Sequence, residues 1–309
     1  MPAYHVERSI QIDAPVEKVF DTVVDFSTWT TWSPWLCVDK SAEVTVSADP
    51  NSVGSQYAWV GEVVGQGEME HLRLDRPRSI ADEIRFVKPF KSKSNVSFRL
   101  ESIGQGAKIT WIMDGNLPWF MFWMRSQMET FIAMDYDRGL RMLKEYIETG
   151  TVLSETEVVG VESADPITVV GAHNSCVLEA ISPAMEKAFT AVIDSFSEAG
   201  ISTETEMISV YHDFDMKSGR FEFTSGFAVA PGCHLPSGLV SRDLAGGKVL
   251  HLRHIGSYGN LGNAWSGAYQ YARYKKIKIL KQAGYEVYRN DPKTTPVAEL
   301  VTDIYLPIK

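Results

Sequence analysis

Three glycines stand between a strand-like run and a helix-like one in His254-Ile-Gly-Ser-Tyr-Gly-Asn-Leu-Gly-Asn-Ala-Trp265. A glycine-rich turn at such a place can offer backbone N–H groups to a phosphate, which is nucleotide chemistry. The spacing argues against it. Gly256, Gly259 and Gly262 read GxxGxxG, whereas the dinucleotide fingerprint is GxGxxG, and no Lys-Ser/Thr of a P-loop follows. The stretch does supply two aromatics, Tyr258 and Trp265. Carboxylates are the second chemistry-bearing feature. On the last apolar run, period-2 alternation puts Glu299, Val301, Asp303 and Tyr305 on one face and Leu300, Ile304 and Leu306 on the other. Acids below aromatic walls suit an organic cation, through charge pairing and cation–π attraction. The competing reading is an open sheet face with solvated acids, partly neutralised by Arg253 or Arg220.

Other chemistries find less support. The seven histidines lack ligand spacing, and His251 and His254 at i, i+3 of a strand point to opposite faces, so neither a metal nor another cofactor is expected. Residues 1–150 carry 16 Lys+Arg against 21 Asp+Glu, and residues 151–309 carry 14 against 18. Neither half has the basic footprint of a nucleic-acid binder. The run Lys275-Lys276-Ile-Lys278-Ile-Leu-Lys281 reads as lysines that offset a helix C-terminal dipole. Cys37, Cys176 and Cys233 are odd in number and scattered, which fits a reducing cytoplasm. The most apolar stretch, Leu117–Met124, is too short to span a bilayer, and no membrane partner is expected.

The elements that must position these groups fall into two halves. Residues 5–12 alternate as a strand, and Asp13-Ala-Pro15 then starts a helix through Val16, Val19, Phe20 and Val23. Alternating runs follow at Glu43–Ser47, Gln56–Val64, Gly67–Leu74, Ser79–Val87, Ser94–Ser102 and Ala107–Asp114, and a long helix is expected over Leu117–Glu148. "IQIDAPVEKVFDTVVDFSTWTTWSPW" and "MDYDRGLRMLKEYIE" make residues 1–150 resemble the START-like or polyketide-cyclase (SRPBCC) superfamily. The resemblance implies a helix-grip fold, a curved antiparallel sheet around the long C-terminal helix, with a cavity between them. Trp59, Trp111, Trp119, Phe122 and Trp123 either line that cavity or fill it as core. His71 is isolated.

Residues 151–165 read as a polar linker that adds a strand, and 166–309 as an internal repeat. One copy runs through Val169–His173, a helix from Ser182 to Gly200, and strands Ile208–Phe214 and Arg220–Ala230. The other runs through Val249–His254, a helix from Leu261 to Gln282, and strands Tyr285–Tyr288 and Ala298–Pro307. Two β-α-β-β copies related by a pseudo-twofold axis would form one sheet backed by two helices, so the chain is α+β throughout.

"LRHIGSYGNLGNAW", "AGYEVYRNDPKTTP" and "ELVTDIYLPI" make this half resemble the GyrI-like, or AraC effector-binding, family. That resemblance implies a groove for flat, hydrophobic, often cationic molecules. Tyr258 and Trp265 become groove aromatics, although Trp265 could equally anchor its helix to the sheet. Asp303 stands where the family's groove acid is expected, with Glu usual there. An offset of 77 pairs Glu222 with Glu299, so both copies could contribute carboxylates. The expected function is cytoplasmic binding, sensing or sequestration of such a molecule, without direct DNA contact but with a protein partner if it is regulatory. Two alternatives remain. One is a hydrolase of strained electrophiles using Asp303 or Glu222 as general base; the other is a lipid or polyketide binder or cyclase acting through the first half.

Overall fold

The computed structural model describes residues 2–215 and 218–309. The chain forms two compact units, one of Met1–Leu153 with Tyr258–Asn263, the other of Ser154–Ser257 with Ala264–Lys309. The first holds β1 (Ala3–Ile12), α1 (Val16–Val24), α2 (Trp29–Trp32), β2 (Glu43–Val46), β3 (Gln56–Gly61), β4 (Gly65–Asp75), β5 (Ser79–Lys88), β6 (Ser92–Ile103), β7 (Gly106–Asn116) and α3 (Arg125–Thr149). Its sheet has the order β1-β7-β6-β5-β4-β3-β2 and every pairing is antiparallel. The long closing helix buries Ala133, Tyr136, Leu140, Leu143 and Ile147 at i, i+3/i+4 spacing and stops at Gly150, whose φ of 83° suits glycine alone. This is the expected helix-grip arrangement.

One boundary differs. The long helix begins at Arg125 rather than Leu117, and Trp119–Met124 wind instead as a tighter 3-10 turn after Pro118. The cause is packing: an amphipathic face lengthens a helix only where a core receives it, and Trp119, Phe120, Phe122 and Trp123 are all exposed.

The second unit holds β8 (Ser154–Ala164), β9 (Ile167–Val177), α4 (Ile181–Ala199), β10 (Met207–Asp215), β11 (Arg220–Val229), β12 (Val240–Leu244), β13 (Gly247–Gly256), α5 (Gly262–Tyr274, which starts in the first unit), β14 (Gly284–Tyr288) and β15 (Val301–Pro307). The sheet order β12-β9-β11-β10-β14-β15-β13-β8 is palindromic about the β10–β14 pair, as the tandem β-α-β-β repeat requires. The outer strands are exchanged. β8, which leads into the first copy, lies on β13 of the second, and β12, which leads into the second, lies on β9 of the first. The expected linker 151–165 is thus mostly an edge strand.

The second repeat's helix is shorter than its periodicity implies. It ends at Tyr274, where Lys276 takes φ 57° while Ile277 and Lys276 donate back to the Ala272 and Arg273 carbonyls at 2.8 and 3.2 Å. Ala283-Gly284 therefore opens β14 instead of capping the helix, and the lysine run lies beyond the helix end. Lys275 Nζ stands 4.7 Å from the Tyr274 ring centroid. Ala199-Gly200 caps the first copy's helix as expected, with Gly200 at φ 68°.

Candidate functional site

Glu286 lies in the middle of β14, antiparallel to Ser209 on β10 and Ile304 on β15. Strand alternation sends its side chain to the face of Ile304 and Leu306, away from that of Val287 and Asp303. Gly284, two residues earlier on the same face, makes room for a helix. A Cβ there would meet Leu306 at 2.9 Å and the Trp265 ring of α5 at 3.0 Å. Glu286 is 1% exposed. Trp265 Nε1 donates to its Oε1 at 2.5 Å and the Tyr288 hydroxyl to its Oε2 at 2.6 Å.

The two tyrosines are repeat equivalents. Tyr211 and Tyr288 are 77 positions apart, as are the facing partners Ser209 and Glu286, so the pseudo-twofold axis passes beside the acid. Serine on one copy and glutamate on the other give this symmetric centre a single carboxylate. The cover is apolar. Met185 Sδ on α4 lies 3.8 Å from the Tyr288 hydroxyl and 4.0 Å from that of Tyr211. Phe189 of α4 meets Tyr288 edge-on at 5.7 Å, and Trp265 meets Tyr211 edge-on at 5.1 Å. These covering side chains are half-buried.

Burial pushes the Glu286 carboxyl above the usual carboxylate range, against the pull of Trp265, Tyr288 and Tyr211. The donors Trp265 and Tyr288 are neutral, and no ion pair to Glu286 occurs among the described residues. The site therefore holds an acid whose charge is hydrogen-bonded but not balanced.

Residues 159–309 match the family described as GyrI-like small molecule binding domain, and residues 3–148 match that described as polyketide cyclase / dehydrase and lipid transport. The chain joins a polyketide-cyclase-like half to a GyrI-like half. Among solved structures, CalU16 from Micromonospora echinospora is 17% identical, over 48% of this chain and 87% of its own, with a TM-score of 0.34. The Aha1 dimer from Colwellia psychrerythraea is 15% identical over 47% and 97%, at 0.35. EcmrR, in a complex with DNA, is 15% identical over 63% and 73%, at 0.42. No curated protein matches.

In the GyrI-like half, of the residues expected at a site, Trp265 touches Glu286 and the others do not. Asp303 is fully buried on the opposite face, where it accepts from Arg253 at 2.7 and 3.0 Å and from Arg289 at 2.6 Å, with His251 Nε2 at 3.0 Å. Burial alone would raise its pKa, but His251, Arg253 and Arg289 hold the carboxyl well below the usual range. Its charge is balanced by the two arginines. Tyr305 stacks between His251 and Tyr285 at 4.5 and 5.0 Å and accepts from Arg289 at 2.8 Å. Glu222 is exposed on β11, and Glu299 is exposed in a 3-10 turn before β15. Tyr258 belongs to the Tyr258–Asn263 segment of the first unit, where Asn260 donates to Glu145 at 2.7 Å.

In the polyketide-cyclase-like half the five aromatics separate. Trp111 is core, 1% exposed and stacked on Tyr136 at 4.0 Å and on Phe98 at 5.1 Å. Trp59 packs at the core margin against Phe86 at 6.0 Å. Trp119, Phe122 and Trp123 are at the surface. His71, read as isolated, is fully buried in a pair with Asp82 at 2.6 Å and bonds the Val24 carbonyl at 2.9 Å.

Glu286 lies on β14, not on the last strand, where the resemblance places the groove acid. The repeat offset carried the signal: applied to the central strands, it sets Glu286 against Ser209 and Tyr288 against Tyr211.

Proposed function

We propose that the GyrI-like half binds small hydrophobic cations over Glu286, serving in the cytoplasm as a sensor or sequestering protein. The observation that carries this is the buried, unbalanced carboxylate at the repeat axis, roofed by Trp265, Tyr211, Tyr288, Phe189 and Met185. Aromatic faces attract a cation, and the desolvated acid pairs with it. Selectivity then rests on charge and flatness more than on a pattern of polar contacts.

Calorimetric titration with tetraphenylphosphonium and with tetraphenylborate, alike in shape and opposite in charge, tests the reading. The cation should bind and the anion should not; equal binding of both, or of neither, would overturn it. The pH dependence has a definite sign. Below its raised pKa, Glu286 holds a proton that the cation must expel. Affinity should fall about tenfold per pH unit there and level off above it. A profile that stays flat down to the ordinary carboxylate range would separate binding from this acid.

The raised carboxyl beside two tyrosine hydroxyls also fits a general acid/base, which keeps a second reading open: hydrolysis of a strained electrophile. Turnover of epoxide or activated cyclopropane compounds, lost in Glu286→Gln, would favour it over binding alone.

A further inference from the structure

We propose that the end of the first unit carrying Phe90 and Trp119–Trp123 docks onto an anionic lipid bilayer. The 3-10 turn between β7 and α3 exposes Trp119 at 76%, Phe120 at 59%, Phe122 at 66% and Trp123 at 67%. Strand register adds a second element at the same end. Phe86 faces Ser92 and Ser94 faces Gly115, so the β5–β6 turn stands beside the chain as it leaves β7. Phe90, in that turn, is 81% exposed. A ring of this kind hides roughly 150–250 Å² when buried, so five of them in water on one end form a surface built to be covered.

Charge selects the occupant. Segments 88–98 and 115–128 contain Lys88, Lys91, Lys93 and Arg125 and no acid, in a chain of net charge −9. Lys93 reaches Glu83 and Arg125 reaches Glu129, while Lys88 and Lys91 form no ion pair among the described residues. Glu62, in the β3–β4 turn at this end, is not free either. The result is an aromatic cluster with a cationic rim on an otherwise acidic body. Two copies meeting face to face would bring like-charged rims together. An anionic headgroup layer attracts the rim, accepts tryptophan and phenylalanine at its boundary, and repels the rest of the molecule, which fixes the orientation. The expectation of no membrane partner considered spanning helices alone; a segment too short to span can still lie in the interface.

The test is flotation of the full chain with vesicles of phosphatidylcholine alone and with phosphatidylglycerol as about a third of the lipid. The chain should float with the anionic vesicles and its tryptophan emission should shift to the blue. The triple variant Trp119→Ser, Phe122→Ser, Trp123→Ser, altered only at exposed positions, should lose partitioning by at least about tenfold. The double variant Lys88→Glu, Lys91→Glu should lose the preference for phosphatidylglycerol while keeping its circular dichroism spectrum. No flotation of the parent chain, or equal flotation of parent and triple variant, overturns the proposal. So does a parent dimer in sedimentation equilibrium that the triple variant abolishes without any lipid binding.

Discussion

Glu286→Gln should melt at a higher temperature than the parent protein at pH 8 while losing tetraphenylphosphonium affinity by about a hundredfold or more. Both effects come from one charge. Burial raises the Glu286 carboxyl above its ordinary value, so the folded protein holds a proton that the unfolded chain releases. Stability then falls as pH rises above the ordinary carboxylate range, until the folded site itself ionises. Glutamine carries no such penalty and can still accept from Trp265 Nε1 while its amide donates to a tyrosine hydroxyl. The gap in melting temperature should be absent near pH 4 and open with rising pH, at about 2–4 °C per kcal/mol for a unit of this size. The cation loses a charge-assisted partner in a desolvated site, which is worth about 3 kcal/mol and gives the hundredfold figure. Scanning calorimetry across pH, with and without the cation, reads both. A variant that melts below the parent at pH 8 would contradict the buried-charge account, and one that binds the cation normally would contradict the site.

Asp303→Ala should do the reverse, destabilising the fold and leaving cation affinity alone. Asp303 is fully buried, and Arg253, Arg289 and His251 converge on it. Removing it leaves two permanent cations facing each other without a counter-charge. The cost should be about 3 kcal/mol, at the low end for a buried network because both arginines keep about a third of their side-chain surface in water. Its folded pKa is depressed, so the stabilisation is fully present above the ordinary Asp value and fades as pH falls below it. Urea melts of parent and variant should therefore stay apart from neutral pH down to about pH 4 and converge below. Since Asp303 points away from Glu286 across the sheet, tetraphenylphosphonium should bind both proteins equally. Loss of binding in Asp303→Ala would restore this residue as the ligand acid.

Fold and repeat were legible in the sequence because both rest on periodicity. Alternation over β1 to β7, helical spacing from Ala133 to Ile147, and the two β-α-β-β copies all stand in the structure. Helix ends were less legible. Trp119–Met124 has helical composition but no core to pack on, and the second repeat's helix is stopped at Lys276 by a left-handed backbone that no glycine announces. The site was legible in part. Trp265, which donates to Glu286, follows the glycine turn in the sequence. Asp303 and Glu286 lie on adjacent strands with opposite side-chain directions, and a carboxylate's sequence does not show whether arginines or tyrosines will meet it. Only the register between β14, β10 and β15 decides that.

The exchanged outer strands bear on how the second unit comes into being. Glu157 of β8 lies opposite Arg253 of β13, and Thr168 of β9 lies opposite Asp243 of β12, so each copy's leader is held by the other copy across most of the unit's length. During synthesis β8 emerges first and finds its partner only once β13 has followed, after a long loop has closed. Neither copy can complete its sheet alone, and a fragment containing one of them would expose a bare edge. The second unit is divisible by symmetry and not by cutting, since each half of the repeat carries the other's outer strand.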